Sequence, residues 1–415
     1  MKEFVDELYY GLNLNTGIDD SPIYTYIAFL FFYLFDPNSF LPLIIFNIFC
    51  GALISISLLL ITYSITGNRM VSCFVAILSS FTGPLVIWEN AARYDTFFTF
   101  LFIWTLFFSI KLLYVQDKFY LSFYFLFLLV FTFSKEGAIL FSLFFLICSV
   151  IGVWILNLKS KFRLSIIYFS IIFILISFQT YKSSYIFNKY GKSNPKAEFH
   201  LLIHSFMYDY PVSKIETSNE GLKNTILMKY NQLPVDYKES SFIQKHFGYG
   251  SLQLMAYEFS FHEDGEGKYD INALPILLEI VKTDLFRYIK MSIAKSLSVA
   301  SFTGYPYSDP VFDHISKNIV GNYLIDKIQI FNGVLYRSYW FFAIMLVVYG
   351  ATGNFKLRSR IAMILIGFVV LYFGLYLGFS TYGEFWRLSI PIQLLTQITP
   401  FLLLNFTLSE TKVKI

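Results

Sequence analysis

Residues 119–157 read FYLSFYFLFLLVFTFSKEGAILFSLFFLICSVIGVWILN, and whether they form one helix or two decides the fold. One continuous helix would be about 58 Å long at 1.5 Å per residue, nearly twice the ~30 Å hydrocarbon core of a bilayer. It would also hold Lys135 and Glu136 at mid-helix. A charge at the bilayer centre costs about 2.5–3.5 kcal/mol on insertion scales. Two passes turning at Ser134-Lys135-Glu136-Gly137 avoid both penalties.

Outward from this hairpin, apolar runs recur at roughly 40–65, 70–88, 96–114, 164–181, 338–352, 361–380 and 389–407. The hairpin itself supplies 119–133 and 138–157. Several of these exceed the ~18 apolar residues that mark a membrane-crossing helix. Composition agrees: the 415 residues are 56% hydrophobic and only 14% charged, against about 25% charged in an average soluble domain. Mean hydropathy is +0.57. The expected fold is an all-α polytopic membrane protein. The piece at 23–35, IYTYIAFLFFYLF, is too short to cross upright and reads as an interfacial helix or half-span. Ser21 and Pro22 suit its N-cap and N1 positions. The first ~22 residues are too polar for the apolar region of a signal peptide, so none is expected.

The charges then sort by side. Arg69, Lys118, the set Lys159, Lys161 and Arg163, the set Lys356, Arg358 and Arg360, and Lys412 with Lys414 all fall on one side if the spans alternate. The positive-inside rule makes that side cytoplasmic. The other side receives the N-terminal segment, Glu89–Asp95, Ser134–Gly137, a polar stretch of roughly 182–285, and Thr381–Arg387. The expected organisation is an N-terminal segment with transmembrane helices (1–181), an extracytoplasmic loop region with surface helices (182–337) and C-terminal transmembrane helices (338–415). The run LEIVKTDLFRYIKMSIAKSL at 278–297 reads as a helix whose later part lies on the outer membrane surface. Such a chain belongs in a cell membrane, and a bacterial inner membrane suits it best. A net charge of +4 is ordinary for basic membrane-facing loops and makes no case for nucleic acid.

Each outer cluster has a functional and a structural reading. Asp6, Glu7, Asp19 and Asp20 precede the short apolar helix; a carboxylate there is either a general base or part of a solvated acidic terminus. Asp95 is favoured by the dipole of the helix it opens and can be a cap. Arg93 gains nothing from that dipole, and suits a phosphate or a lipid headgroup. Lys135 with Glu136 reads as a local hairpin ion pair or as part of a site. Glu384 and Arg387, beside Trp386, read as interfacial anchors or as part of the same site. His200 and His204 share a helix face, yet no matching acid or cysteine makes a metal set. Cys50, Cys73 and Cys148 lie in apolar runs and read as small hydrophobes. No cofactor is expected, and no motif demands a divalent metal.

Together these residues resemble a family. DELYYGL (6–12) followed by DDSPIYTYI (19–27) is similar to the first outer loop of the GT-C membrane glycosyltransferases, in the branch of protein O-mannosyltransferases and lipid A aminoarabinose transferases. ENAARYDTFFTFLF (89–102) resembles that family's Ala-Arg-x-Asp element leading into a span. FTFSKEGAILFSLFF (131–145) is similar to its Lys-Gly hairpin, and 278–297 to the stretch before its C-terminal helices. GEFWRLSIPIQLL (383–395) resembles its Arg-aromatic…Pro motif, with the aromatic here ahead of the Arg. Asp19-Asp20-Ser21-Pro22 stands where the family more commonly has Asp-His-Pro-Pro, and five residues rather than a helix precede the Asp6-Glu7 pair.

The resemblance implies a GT-C-like helical bundle that takes a sugar from a polyprenyl-phosphate donor on the extracytoplasmic side, with inversion. It implies a catalytic carboxylate at Asp6, with Glu7 beside it. Arg93, Lys135 and Arg387 would bind the phosphate, and Asp20, Asp95 and Glu384 would orient these cations or hold sugar hydroxyls. The acceptor would be a lipid, a glycan or a protein, and membrane lipids would surround the bundle. Two rivals remain. An O-antigen-type polymerase or ligase would carry its essential residues in 182–337. A lipid-linked glycan transporter or flippase would show charges deep in spans and an inverted repeat.

Overall fold

The computed structural model describes residues 22–35, 39–82, 85, 94–115, 117–135, 137–156, 161–190, 282, 285–298, 335–380 and 389–413. Among these, the long elements are helices and no residue lies in a strand. In chain order they are α1 (Pro22–Leu34), α2 (Leu41–Thr66), α3 (Arg69–Ser80), α4 (Asp95–Tyr114), α5 (Lys118–Thr132), α6 (Ala138–Ile155), α7 (Lys161–Tyr190), α8 (Leu285–Ser298), α9 (Tyr339–Thr352), α10 (Leu357–Ser380) and α11 (Ile390–Val413). Four are long and apolar enough to cross a membrane: α2, α4, α6 and α10 up to Phe379. Shorter apolar stretches accompany them in α3, α5, α7, α9 and α11.

Local chemistry sets the helix ends. α2 has Pro42 in its first turn and stops at Gly67, whose φ of 69° lets its N–H donate back to the Tyr63 carbonyl. Only glycine adopts that left-handed geometry without strain. Asn68 caps α3 by accepting from the Val71 N–H at 3.3 Å, and Asp117 caps α5 by accepting from the Phe119 N–H at 3.1 Å.

The hairpin at 119–157 is two helices, as its length and charges require. α5 ends at Thr132, and the Ser134 hydroxyl donates to the Phe131 carbonyl at 2.6 Å. Gly137, at φ 82°, reverses the chain into α6. The two helices then run antiparallel. The Thr132 hydroxyl donates to that of Ser142 at 2.8 Å, and Tyr124 and Ser149 join hydroxyls at 3.0 Å.

The chain divides into two compact units. The first comprises Met1–Ile176, Ile319–Phe373 and Ile390–Ile415. Its centre is α4, buried round most of its circumference, as expected of a helix that is apolar on all sides. Phe102, wholly buried, lies among Phe131, Phe141, Phe145 and Phe373 with ring centroids 5.1–6.0 Å away. α9 and α10 approach closely through small residues: a Cβ on Gly367 would lie 2.7 Å from the Ala343 carbonyl oxygen. Membrane helices without a strong hydrophobic drive between them favour such contacts.

One end of this unit gathers the basic connections. Arg358 donates to the Tyr114 carbonyl at 2.8 Å, and the Ser359 hydroxyl to that of Ile65 at 3.3 Å. Arg360 donates to the Gly350 carbonyl at 2.8 Å and also to that of Ala351. A Cβ on Gly152, near the end of α6, would lie 3.1 Å from Leu113. The connections bearing Arg69, Lys118, Lys161 and Lys356 thus share an end, as alternating spans require.

The run at 70–88 is not one span: α3 stops at Ser80. Pro84 follows shortly after, and a proline disfavours helix in the residue before it and removes a donor. The second unit comprises Ser177–Asn318 and Gly374–Ser389. In it α8 packs on the end of α10 through Ser292 and Ser296, both buried.

Candidate functional site

The hairpin turn and the start of α4 meet at the end of the first unit away from the basic connections. Lys135 comes from the α5–α6 turn, and its Nζ lies 4.9 Å from the ring centroid of Tyr94 and 5.5 Å from that of Phe98. Such cation–π contacts contribute ~0.5–1 kcal/mol when exposed and ~2 when desolvated. Asp95 is the first residue of α4 and only 4% exposed. Tyr94 holds the N-cap position, so Asp95 sits in the positive field of the helix start without being the cap residue.

Tyr24 completes the cluster from α1, which is too short to cross a bilayer. Its ring packs edge-on against Tyr94 at 6.4 Å and lies 6.0 Å from Phe97. The Asn47 side-chain amide of α2 donates to its hydroxyl at 3.2 Å. Burial raises the Tyr24 phenol well above its ordinary range; the Asn47 hydrogen bond opposes this, and the Asp95 carboxylate raises it further. The phenol is therefore a neutral group at physiological pH.

A polar layer lies deeper. The Ser79 and Ser80 hydroxyls donate to that of Ser55 at 3.2 and 3.0 Å. Gln397 accepts from the Thr82 hydroxyl at 3.0 Å through its side-chain carbonyl and donates to the Tyr336 hydroxyl at 2.8 Å. α2 and α4 run parallel, with Phe46 packed on Phe97 and the Trp104 indole N–H donating to the Leu53 carbonyl at 3.1 Å. Ser55 is nine residues beyond Phe46, so the end of α3 lies about 14 Å below the level of Phe97, in the first turn of α4. α3 is thus a half-length helix ending against buried polar groups.

A cation braced on aromatic faces, next to a helix N-terminus, suits an anion such as a phosphate. A buried carboxylate at the same helix start, Asp95, can accept a hydrogen bond or a hydroxyl proton. Among the described residues no group of histidine, cysteine or acidic side chains is arranged to hold a metal ion. Of the residues expected from sequence, Lys135 and Asp95 are described: Lys135 lies over Tyr94 and Phe98, in the first turns of the helix that Asp95 opens. Asp6, Glu7, Asp20, Arg93, Glu384 and Arg387 lie outside the described residues. Sequence reading gives no role to Tyr24, Asn47, Tyr94 or Phe98. Gln393 and Gln397 carried a signal, being two amides four residues apart on one face of an apolar helix.

Comparison with protein-family models, with curated proteins and with solved structures finds no match to this chain.

Proposed function

We propose that the chain is an integral-membrane glycosyltransferase of GT-C type, moving a sugar from a polyprenyl-phosphate donor to a hydroxyl acceptor on the extracytoplasmic side. The observation that carries this reading is Lys135 set against Tyr94 and Phe98 beside the buried Asp95. These groups lie at the end of their helices opposite the basic connections, which the positive-inside rule assigns to the cytoplasm.

On this reading Asp6, with Glu7 beside it, takes the proton of the acceptor hydroxyl. The oxygen attacks the anomeric carbon from the face opposite the phosphate. The bond from that carbon to the phosphate oxygen breaks, and polyprenyl phosphate leaves with the added negative charge. Lys135, with Arg93 and Arg387, stabilises that charge where water is excluded and electrostatics are strong. Asp95, Asp20 and Glu384 orient the cations or hold sugar hydroxyls. The region 182–337 covers an acceptor that is a lipid, a glycan or a protein.

The test is purified protein incubated with a panel of polyprenyl-phosphate sugars, reading released polyprenyl phosphate. Release is expected with at least one donor, and Asp6→Asn should abolish it while the protein stays in the membrane. Full activity of Asp6→Asn would rule out that base.

One observation favours a second reading, a flippase for lipid-linked glycans. α3 stops about 14 Å below the level of Phe97 in the first turn of α4, against a buried polar layer, and discontinuous helices mark transport sites. Passage of a labelled glycolipid across vesicles without any release of polyprenyl phosphate would decide for it.

A further inference from the structure

We propose that α8 is seated in the membrane surface, its apolar stripe covered by lipid acyl chains and its basic edge by anionic headgroups. This inference stands apart from the glycosyltransferase reading. α8 reads LFRYIKMSIAKSLS; it carries Arg287, Lys290 and Lys295 and no acidic residue.

Its faces are unequal. Ser292 and Ser296 are buried against the end of α10, where a Cβ on Gly378 would overlap the Ser296 hydroxyl and lie 2.6 Å from the Ser292 carbonyl oxygen. The Tyr288 hydroxyl donates to the Phe379 carbonyl at 3.3 Å. Glycine and serine bringing two helix backbones together is the packing of helices that meet in lipid. The helix α8 meets here is itself a candidate span up to Phe379.

The neighbouring face is apolar and, among the described residues, exposed. Leu285, Ile289, Ile293 and Leu297 recur every four residues and are 38–52% exposed, and Phe286 is 80% exposed. Comparable exposure marks Ile45, Phe49 and Ile56 on α2, another candidate span. Lys290, also exposed, borders the stripe. An apolar stripe with a basic edge, joined to the end of a span, has the chemistry of an interfacial helix on an anionic bilayer.

The test uses the full chain with Cys50, Cys73 and Cys148 replaced by alanine and one new cysteine, Ile293→Cys or Lys290→Cys. An environment-sensitive fluorophore is attached, and the protein is placed in vesicles of phosphatidylcholine and phosphatidylglycerol. The probe at 293 should emit blue-shifted light and lose intensity with brominated lipids but not with iodide; the probe at 290 should respond to iodide. Equal iodide quenching at both positions would overturn the proposal in favour of water, and a 293 probe reached by neither quencher would overturn it in favour of a protein cover. If Ile293→Cys does not fold, Phe286→Cys supplies the same readout from the most exposed apolar position.

Discussion

The Lys135 ammonium stands 4.9 Å from the centre of the Tyr94 ring, joining the α5–α6 turn to the start of α4. Tyr94 adjoins the buried Asp95, and Lys135 stands two residues before Gly137, the glycine that reverses the chain. The following expectations rest on that junction and on the packing beneath it.

Lys135→Ala should raise the KM for a polyprenyl-phosphate donor by about 10- to 100-fold, the range of a hydrogen bond to a charged group at about 1.5–3 kcal/mol. Lys135→Arg should retain part of the affinity, because it keeps the charge. An unchanged KM in the alanine variant would remove Lys135 from phosphate binding.

Gly137→Ala forces a side chain into the left-handed region and should cost about 1–2 kcal/mol of stability. Because Gly137 positions the turn that carries Lys135, donor affinity should fall with it. Unfolding in detergent and donor KM, measured on the same preparation, check both halves. Loss of stability with normal donor use would separate the turn from the site.

Tyr24→Phe removes the hydroxyl that accepts from Asn47 at 3.2 Å. The expected loss is about 0.5–1.5 kcal/mol, typical of one buried hydrogen bond. Asn47→Ala in the Tyr24→Phe background should add little, since the pair is already broken. A fully additive double mutant would show that the two side chains act independently.

Gly367→Leu places a branched side chain where a Cβ alone would be 2.7 Å from both the Ala343 carbonyl oxygen and Val347 Cγ2. The overpacking should lower stability by about 1–3 kcal/mol, and Gly367→Ala by less. Phe102→Ala, which empties the aromatic centre, should cost about 3–5 kcal/mol. Thermal denaturation ranks the three; a neutral Gly367→Leu would mean that α9 and α10 are not in close contact.

The hairpin at 119–157 was legible because two numbers conflict within it: its length and the bilayer thickness. Helix limits elsewhere followed from hydropathy, as α2, α4 and α6 illustrate. The run at 70–88 misled because hydropathy alone does not register the break ahead of Pro84, and Ser79 and Ser80 look harmless until Ser55 is seen opposite them. Tyr24 and Asn47 were invisible for a different reason. Each is unremarkable in its own helix and acquires meaning only from a partner 23 residues away.

The sequence by itself determined that the chain is helical, that several helices are membrane-grade, and that its basic connections alternate with mixed ones. These follow from hydropathy, helix rise and charge, which act along the chain. Only the tertiary structure decided that Lys135 reaches Tyr94 and Phe98, that α3 ends below the level at which α4 begins, and that α8 turns serines toward Gly378. Those outcomes depend on which helix faces meet, and packing between distant segments leaves no periodic trace in the residues that take part.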